Sequence, residues 1–285
     1  MVQLCRQDVS LSCLEKIGGK GMKFIEQSCE IWLQGHDLDD VWKHIERCGR
    51  VCYQSDKPSE DSKKWCMSKI KAGHMSILEH GTIYLDIPRS STIIADFFIM
   101  NKYSHVNHII DNYYVTTNMR VIVENGMYNA LAFSCPLTQY HTPRYTISII
   151  TDLAVAREFN RHRVQSISEE STRYCNYSKG KFDNELKYIK PVWIPENPSE
   201  KDIEALQLFN HLLKWIEDGY MNLLEYWTPE QARRVLPLGL KVQTVHTASI
   251  DNWNDFINKR ALEKTGKVDP NMKDVALKIK HLLEQ

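Results

Sequence analysis

The chain has 285 residues, 42% hydrophobic and 25% charged, with 36 Lys plus Arg against 36 Asp plus Glu. This composition excludes a disordered or fibrous chain, and the even charge balance leaves no global field to attract a nucleic-acid polymer or an anionic membrane, so any bound anion must meet a local cluster. No apolar run is long enough to span a bilayer, and Arg6, Asp8, Glu15 and Lys16 interrupt Met1 to Gly18 where a secretory leader would be continuous, so a cytoplasmic location is expected.

Asp39 and Asp40 ahead of Val41, Trp42 and Ile45 predict a first helix, and Ser62 to Ala72 a second, stopped by Gly73. Thr82 to Ile87 alternates polar and apolar residues, the period of a half-buried strand, and Pro88 ends it. Ser91 to Ile110 reads as a helix, while Tyr113 to Thr117 is aromatic and β-branched enough for a strand. Tyr145 to Ile150 is β-branched again; Thr151 and Asp152 then cap a helix through Leu153, Ala156 and Phe159 that ends at Arg161, ahead of a long side-chain-rich loop. Ser199 to Asp202 resembles a capping box, followed at helical spacing by Ile203, Leu206, Phe209, Leu213 and Ile216. Thr228-Pro229-Glu230 starts a helix limited by Pro237, and the last helix runs from Asp269 or Asn271 to the end. The absence of repeats or a long linker favours one continuous fold, and no glycine-rich turn matches a dinucleotide fingerprint. A nucleotide must therefore be held by side chains. The eight cysteines form no C-x-x-C pair, so reduced thiols are expected, with a Cys48–Cys52 disulfide open as an alternative.

Arg161 through Tyr174 places three arginines, a histidine, two carboxylates and four Ser or Thr residues in fourteen positions. Arginine presents a fixed fork of donors suited to phosphate or a uracil-type carbonyl, and serine completes a phosphate shell. Taken alone, the same residues would serve a solvated charged turn or a non-catalytic nucleotide- or RNA-binding loop.

Arg161-His162-Arg163, seven residues and then Ser171 resembles the signature of flavin-dependent thymidylate synthases. Gly73-His74-Met75-Ser76-Ile77-Leu78-Glu79-His80 is similar to that family's G-H-x-[S/T]-x-x-E-H segment, Ala232 to Pro237 to its A-R-x-x-L-P, and Trp253 with Phe256 to Arg260 to a fourth block. His74, Glu79 and His80 do not have the H-E-x-x-H spacing of a zinc helix, so no metal site is expected.

The resemblance implies an α+β fold with a mixed central sheet flanked by helices. It also implies one domain over residues 1–285 carrying an insertion at about 90–144. It implies reductive methylation of dUMP to dTMP, with 5,10-methylenetetrahydrofolate supplying the carbon, NADPH reducing bound FAD, and homotetramers sharing sites between subunits. By motif position Ser171 and Arg173 hold dUMP, Glu169 lies between dUMP and flavin, and Arg233 and Arg260 close on the nucleotide; Ser171, Arg173, Arg260 and His74 are the implied catalytic residues. Arg161, His162 and Arg163 lie against the flavin, with His74, Ser76, Glu79, Ser55, Ser249 and Asp255 lining it. Three positions depart from the family: Glu158 stands where a glutamine touching dUMP is common, Ser168 where asparagine is, and Asp255 where asparagine or histidine is expected. A carboxylate beside a phosphate repels it, so Glu158 either faces elsewhere or pairs with Arg157 or Arg161. Cys135-Pro136 lacks the P-C-H arrangement of the unrelated cysteine-dependent thymidylate synthases, and Cys175 reads as a small core hydrophobe.

Overall fold

The computed structural model describes residues 23–55, 57–195 and 197–285; the reading of Met1 to Gly18, with Cys5 and Cys13, lies outside them. Helix α1 (Leu38–Arg50) starts where the Asp37 carboxylate accepts from the Asp40 N–H at 2.7 Å, and it buries Val41, Trp42, Ile45 and Cys48. Helix α2 (Ser62–Lys71) is capped likewise by Asp61, which accepts from Lys64 N–H at 2.8 Å. The chain leaves it through Gly73, whose φ of +82° suits a residue without Cβ.

Strand β3 (Thr82–Pro88) pairs with β5 (Asn112–Asn118), and β4 (His105–Ile109) lies outside them in a three-stranded antiparallel sheet. The helix expected over Ser91–Ile110 is therefore corrected: α3 covers only Thr92–Met100. Asn101 stops it, its carboxamide oxygen accepting from Tyr103 N–H at 2.9 Å and Ser104 O–H at 3.2 Å in a side-chain turn. The following His105-Val106-Asn107-His108-Ile109 is a mostly exposed edge strand. Helix α4 (Met119–Glu124) follows β5. Ile45, Leu78, Leu85, Phe98, Val115 and Met119 belong to one apolar cluster, so the segment expected as an insertion shares a core with α1 and β3.

The central sheet has the order β2 (Ser28–Trp32), β6 (Arg144–Asp152), β9 (Lys241–Ser249), β7 (Ser166–Glu169). Every pairing in it is antiparallel, which corrects the expected mixed sheet; parallel pairing occurs between β1 (Lys23–Ile25) and β8 (Lys187–Ile189). β6 and β7 run in the same direction, the crossover between them spanning residues 153–165, but β9 lies between them and pairs antiparallel with both, so no two neighbours in this sheet are parallel. β7 also corrects the expected loop after Arg161. Helix α5 (Leu153–Phe159) starts where Asp152 accepts from Val155 N–H at 2.8 Å. Helix α6 (Glu200–Leu223) starts at the Ser199–Asp202 capping box, and the short α7 (Pro229–Ala232) at Thr228. Helices α8 (Ile250–Arg260) and α9 (Pro270–Leu283) cover the sheet through Ile147, Phe159, Trp253, Phe256 and Met272.

The architecture is α+β. Among the described residues no helix is long and apolar enough to cross a membrane. All six described cysteines are free, so Cys48 and Cys52 are not bridged, and Cys175 is fully buried in the apolar cluster under α6.

Candidate functional site

The end of α5 delivers the Arg161–Arg163 segment to the mouth of a cavity. Backbone bonds from Arg161 N–H to Glu158 at 3.2 Å and from His162 N–H to Phe159 at 2.9 Å tighten the last turn, sending His162 inward and leaving Arg161 and Arg163 exposed. The His162 ring stands edge-on to Phe256 with centroids 5.3 Å apart. Its Nε2 lies 3.2 Å from the Asn252 carbonyl, so it must carry the proton and donate there, while the Asp255 carboxylate stands off at 3.9 Å. Burial pulls the imidazole below its ordinary value despite those two acceptors, favouring the neutral ring at pH 7.

Arg161, His162 and Arg163 share a cavity of about 390 Å³ with Lys259, Arg260 and Thr265. Lys259 pairs with Asp255 at 2.6 Å and Arg260 with Glu158 at 3.6 Å, which settles the partner of Glu158 as Arg260 rather than Arg157 or Arg161. Neither Arg161 nor Arg163 has a carboxylate partner among the described residues. Two unpaired guanidinium groups beside a neutral histidine, a lysine and a third arginine form a donor set that fits a phosphate or diphosphate group, such as a flavin nucleotide carries.

A second group forms where the chain leaves β7. Glu169 accepts from Asn160 Nδ2 at 3.0 Å, and burial raises its carboxyl above the ordinary range. Glu170 is fully enclosed, accepting from Tyr177 O–H at 3.0 Å, Lys241 Nζ at 2.8 Å and Gln243 N–H at 3.0 Å, and so fixes the turn that follows. The Ser171 N–H donates to the Cys52 carbonyl at 3.1 Å, and its hydroxyl accepts from Arg173 N–H at 3.3 Å. Arg173 reaches Glu230 at 3.1 Å and Arg233 reaches the Thr172 hydroxyl at 3.4 Å, so Ser171, Arg173 and Arg233 gather beside α7. Arg260 belongs instead to the cavity of Arg161.

Glu79 and Ser249 line a third region, a cavity of about 380 Å³ that Arg144, Gln165, Lys102 and Arg120 also line. Glu79 pairs with Arg120 at 2.6 Å, and the Ser249 hydroxyl caps α8 by accepting from Asn252 N–H at 3.4 Å. Ser55 lines a separate cavity of about 490 Å³, where it accepts from Arg50 at 2.8 Å. His74 and Ser76 are exposed on the turn before β3, with no side-chain hydrogen bond among the described residues. The motif's other histidine, His80, is fully buried between Thr247 at 2.8 Å and Ser168 at 3.0 Å, pinning this turn to β7 and β9. Ser168 therefore acts as an internal partner. Sequence reasoning did not single out Lys259 or Gln165, although they lie inside the fourth block and the Arg161–Tyr174 cluster; Arg144 and Arg120 carried no sequence signal, because tertiary packing alone brings them to Glu79.

Residues 137–285 match a family model described as thymidylate synthase complementing protein. The chain is 33% identical over 118 residues to the flavin-dependent thymidylate synthase of Thermotoga neapolitana, covering 41% of this chain and 52% of that protein. It is 30% identical over 125 residues to the flavin-dependent thymidylate synthase of Thermosipho melanesiensis, covering 41% and 54%. The chain thus spans about half the length of the curated relatives it matches. The family match includes Glu158 through Arg260 and leaves out Ser55 and the turn carrying His74, Ser76 and Glu79.

Proposed function

Because this chain belongs to the thymidylate synthase complementing protein family, we propose that it is a flavin-dependent thymidylate synthase, converting dUMP to dTMP with bound FAD, 5,10-methylenetetrahydrofolate and NADPH. The observation that carries this reading is the cavity uniting Arg161, His162, Arg163, Lys259 and Arg260, two of whose guanidinium groups have no carboxylate partner among the described residues. Flavin, when bound, supplies the hydride chemistry; the chain supplies binding, alignment and charge stabilisation.

Arg161 and Arg163 counter the negative charge of the flavin diphosphate or reduced ring, and His162, held by the Asn252 carbonyl, keeps a fixed neutral face between them. Ser171, Arg173 and Arg233 grip dUMP through its phosphate and carbonyl oxygens, with Arg260 closing from α8. Glu169, its carboxyl raised by burial, stands beside the nucleotide. Ser55, His74, Ser76, Glu79, Ser249 and Asp255 line the cofactor. Within one protomer these side chains occupy separate patches, and a homotetramer that shares its sites between subunits accounts for their separation.

The purified protein is expected to be yellow, to lose its flavin band when NADPH is added without air, and to form dTMP from dUMP and methylenetetrahydrofolate. Colourless protein that takes up no FAD overturns the reading. Bleaching without dTMP indicates a flavoprotein acting on another pyrimidine.

A further inference from the structure

The cavity beside Glu79 and Ser249 has walls of two origins. Arg144 begins β6 opposite Ser249 of β9 and is half-buried. Its guanidinium donates to the Glu79 and Thr117 carbonyls at 3.0 and 3.4 Å and to the Thr82 and Ser166 hydroxyls at 3.3 Å each. All four acceptors are neutral, and among the described residues no carboxylate comes within ion-pair distance of it. Loss of water pulls this guanidinium down to about 10, the signature of a charge without a full counter-ion.

Beside it, Gln165 accepts from His246 Nδ1 at 2.8 Å through Oε1, which orients the amide, and its buried Nε2 has no partner among the described residues. The opposite wall comes from the segment between β3 and β6. Arg120 there is occupied by Glu79 at 2.6 Å and Glu124 at 2.7 Å. Lys102, whose ammonium lies over the Tyr103 ring at 4.9 Å, and His105 are exposed at the rim and have no carboxylate partner among the described residues. The cavity therefore joins one half-buried cation with no carboxylate in ion-pair contact among the described residues, one orphaned amide donor in its wall and two rim donors.

We propose that this cavity binds the anionic end of a co-substrate, a carboxylate- or phosphate-bearing group, with Lys102 and His105 capturing it and Arg144 and Gln165 receiving it. The proposal rests on the thymidylate synthase reading for the identity of that co-substrate: the carboxylates of a reduced folate or the phosphates of a nicotinamide dinucleotide. Glu79 and Ser249 line the same cavity, so a ligand anchored here lies beside the expected cofactor side.

Isothermal titration of the full-length protein with pteroylglutamate, with NADP⁺ and with dUMP tests this, comparing wild type with the Lys102→Glu/His105→Glu variant. Both positions are exposed, and an unchanged melting temperature verifies that the variant folds. Affinity for at least one of the first two ligands is expected to fall tenfold or more, with dUMP binding unchanged; a loss confined to pteroylglutamate assigns the carboxylate source, and one confined to NADP⁺ the phosphate source. Equal affinities in wild type and variant, no binding of either ligand to wild type, or an equal loss for dUMP overturns the proposal. Flavin content is measured separately: a protein that takes up no FAD fails the thymidylate reading, while the anion titrations still decide the cavity.

Discussion

Arg120 and Glu79 meet at 2.6 Å, tying the segment between β3 and β6 to the turn that carries the second sequence block. Their side chains are 36% and 28% exposed, so solvent screens the pair and its coupling is expected to be about 1 kcal/mol. Urea unfolding of Arg120→Ala, Glu79→Gln and the double variant measures that coupling directly. Strictly additive effects would show that the contact contributes nothing.

Three imidazoles are enclosed between the helices and the central sheet. Burial holds His44 at about 4, His246 at about 3, and His80 well below its ordinary value. In the unfolded chain each returns to about 6.5, so between pH 6.5 and 4 the unfolded state binds more protons and stability falls as pH drops. The contribution is fully present above that window, and each imidazole adds about 1.4 kcal/mol per pH unit to the slope. Urea midpoints measured from pH 7 to 5 are expected to decline steeply, and His44→Gln to remove about one proton from the dependence. A flat profile, or a slope the substitution leaves unchanged, contradicts the account.

Gly81 is required for close approach rather than for an unusual backbone. Its φ of −74° suits any residue, but a Cβ there would lie 2.5 Å from Ile45 Cδ1 and 2.9 Å from Val41 Cγ1, both in the core. Gly81→Ala is expected to destabilise by about 1–3 kcal/mol through overpacking. Adding Ile45→Val, which deletes the nearest atom, should recover part of the loss. Recovery of none in chemical denaturation would place the strain elsewhere.

Local chemistry explains which parts were legible in the sequence. The capped helices were, because Asp152 and Ser199 sit directly before their apolar stripes and cap as their residue types require. Strand β9 was not, since buried Thr244, His246, Thr247 and Ser249 interrupt any apolar pattern; only neighbouring elements satisfy them, as His80 does for Thr247 at 2.8 Å. β4 was misread because the stretch from Ile93 to Met100, apolar except for Asp96, masks the turn that Asn101 makes through its own side chain. Within the site, contiguous Arg161-His162-Arg163 was legible as a unit, whereas the Arg260 contact of Glu158 and the Arg120 contact of Glu79 depend on tertiary packing.

The Glu158–Arg260 pair yields the prediction with a direction opposite to ordinary loss of function. Glu158 Oε2 lies 3.6 Å from Arg260, which lines the cavity of Arg161 and Arg163, and the two side chains are 39% and 29% exposed. The carboxylate holds Arg260, the guanidinium proposed to close on dUMP, and adds negative charge beside it, so the nucleotide must compete with Glu158 for that side chain. Glu158→Gln removes the charge with little change of shape, releases Arg260, and is expected to tighten dUMP binding about two- to tenfold, equivalent to roughly 0.4–1.4 kcal/mol. The gain should shrink between 50 and 300 mM salt, because charges this exposed are screened over about 10 Å or less. Arg260→Gln should weaken binding, and the double variant should bind no more tightly than Arg260→Gln alone, since the released partner is then absent. Calorimetric titration with dUMP at the two salt concentrations makes the comparison, and unchanged or weaker binding by Glu158→Gln would show that this carboxylate does not restrain Arg260.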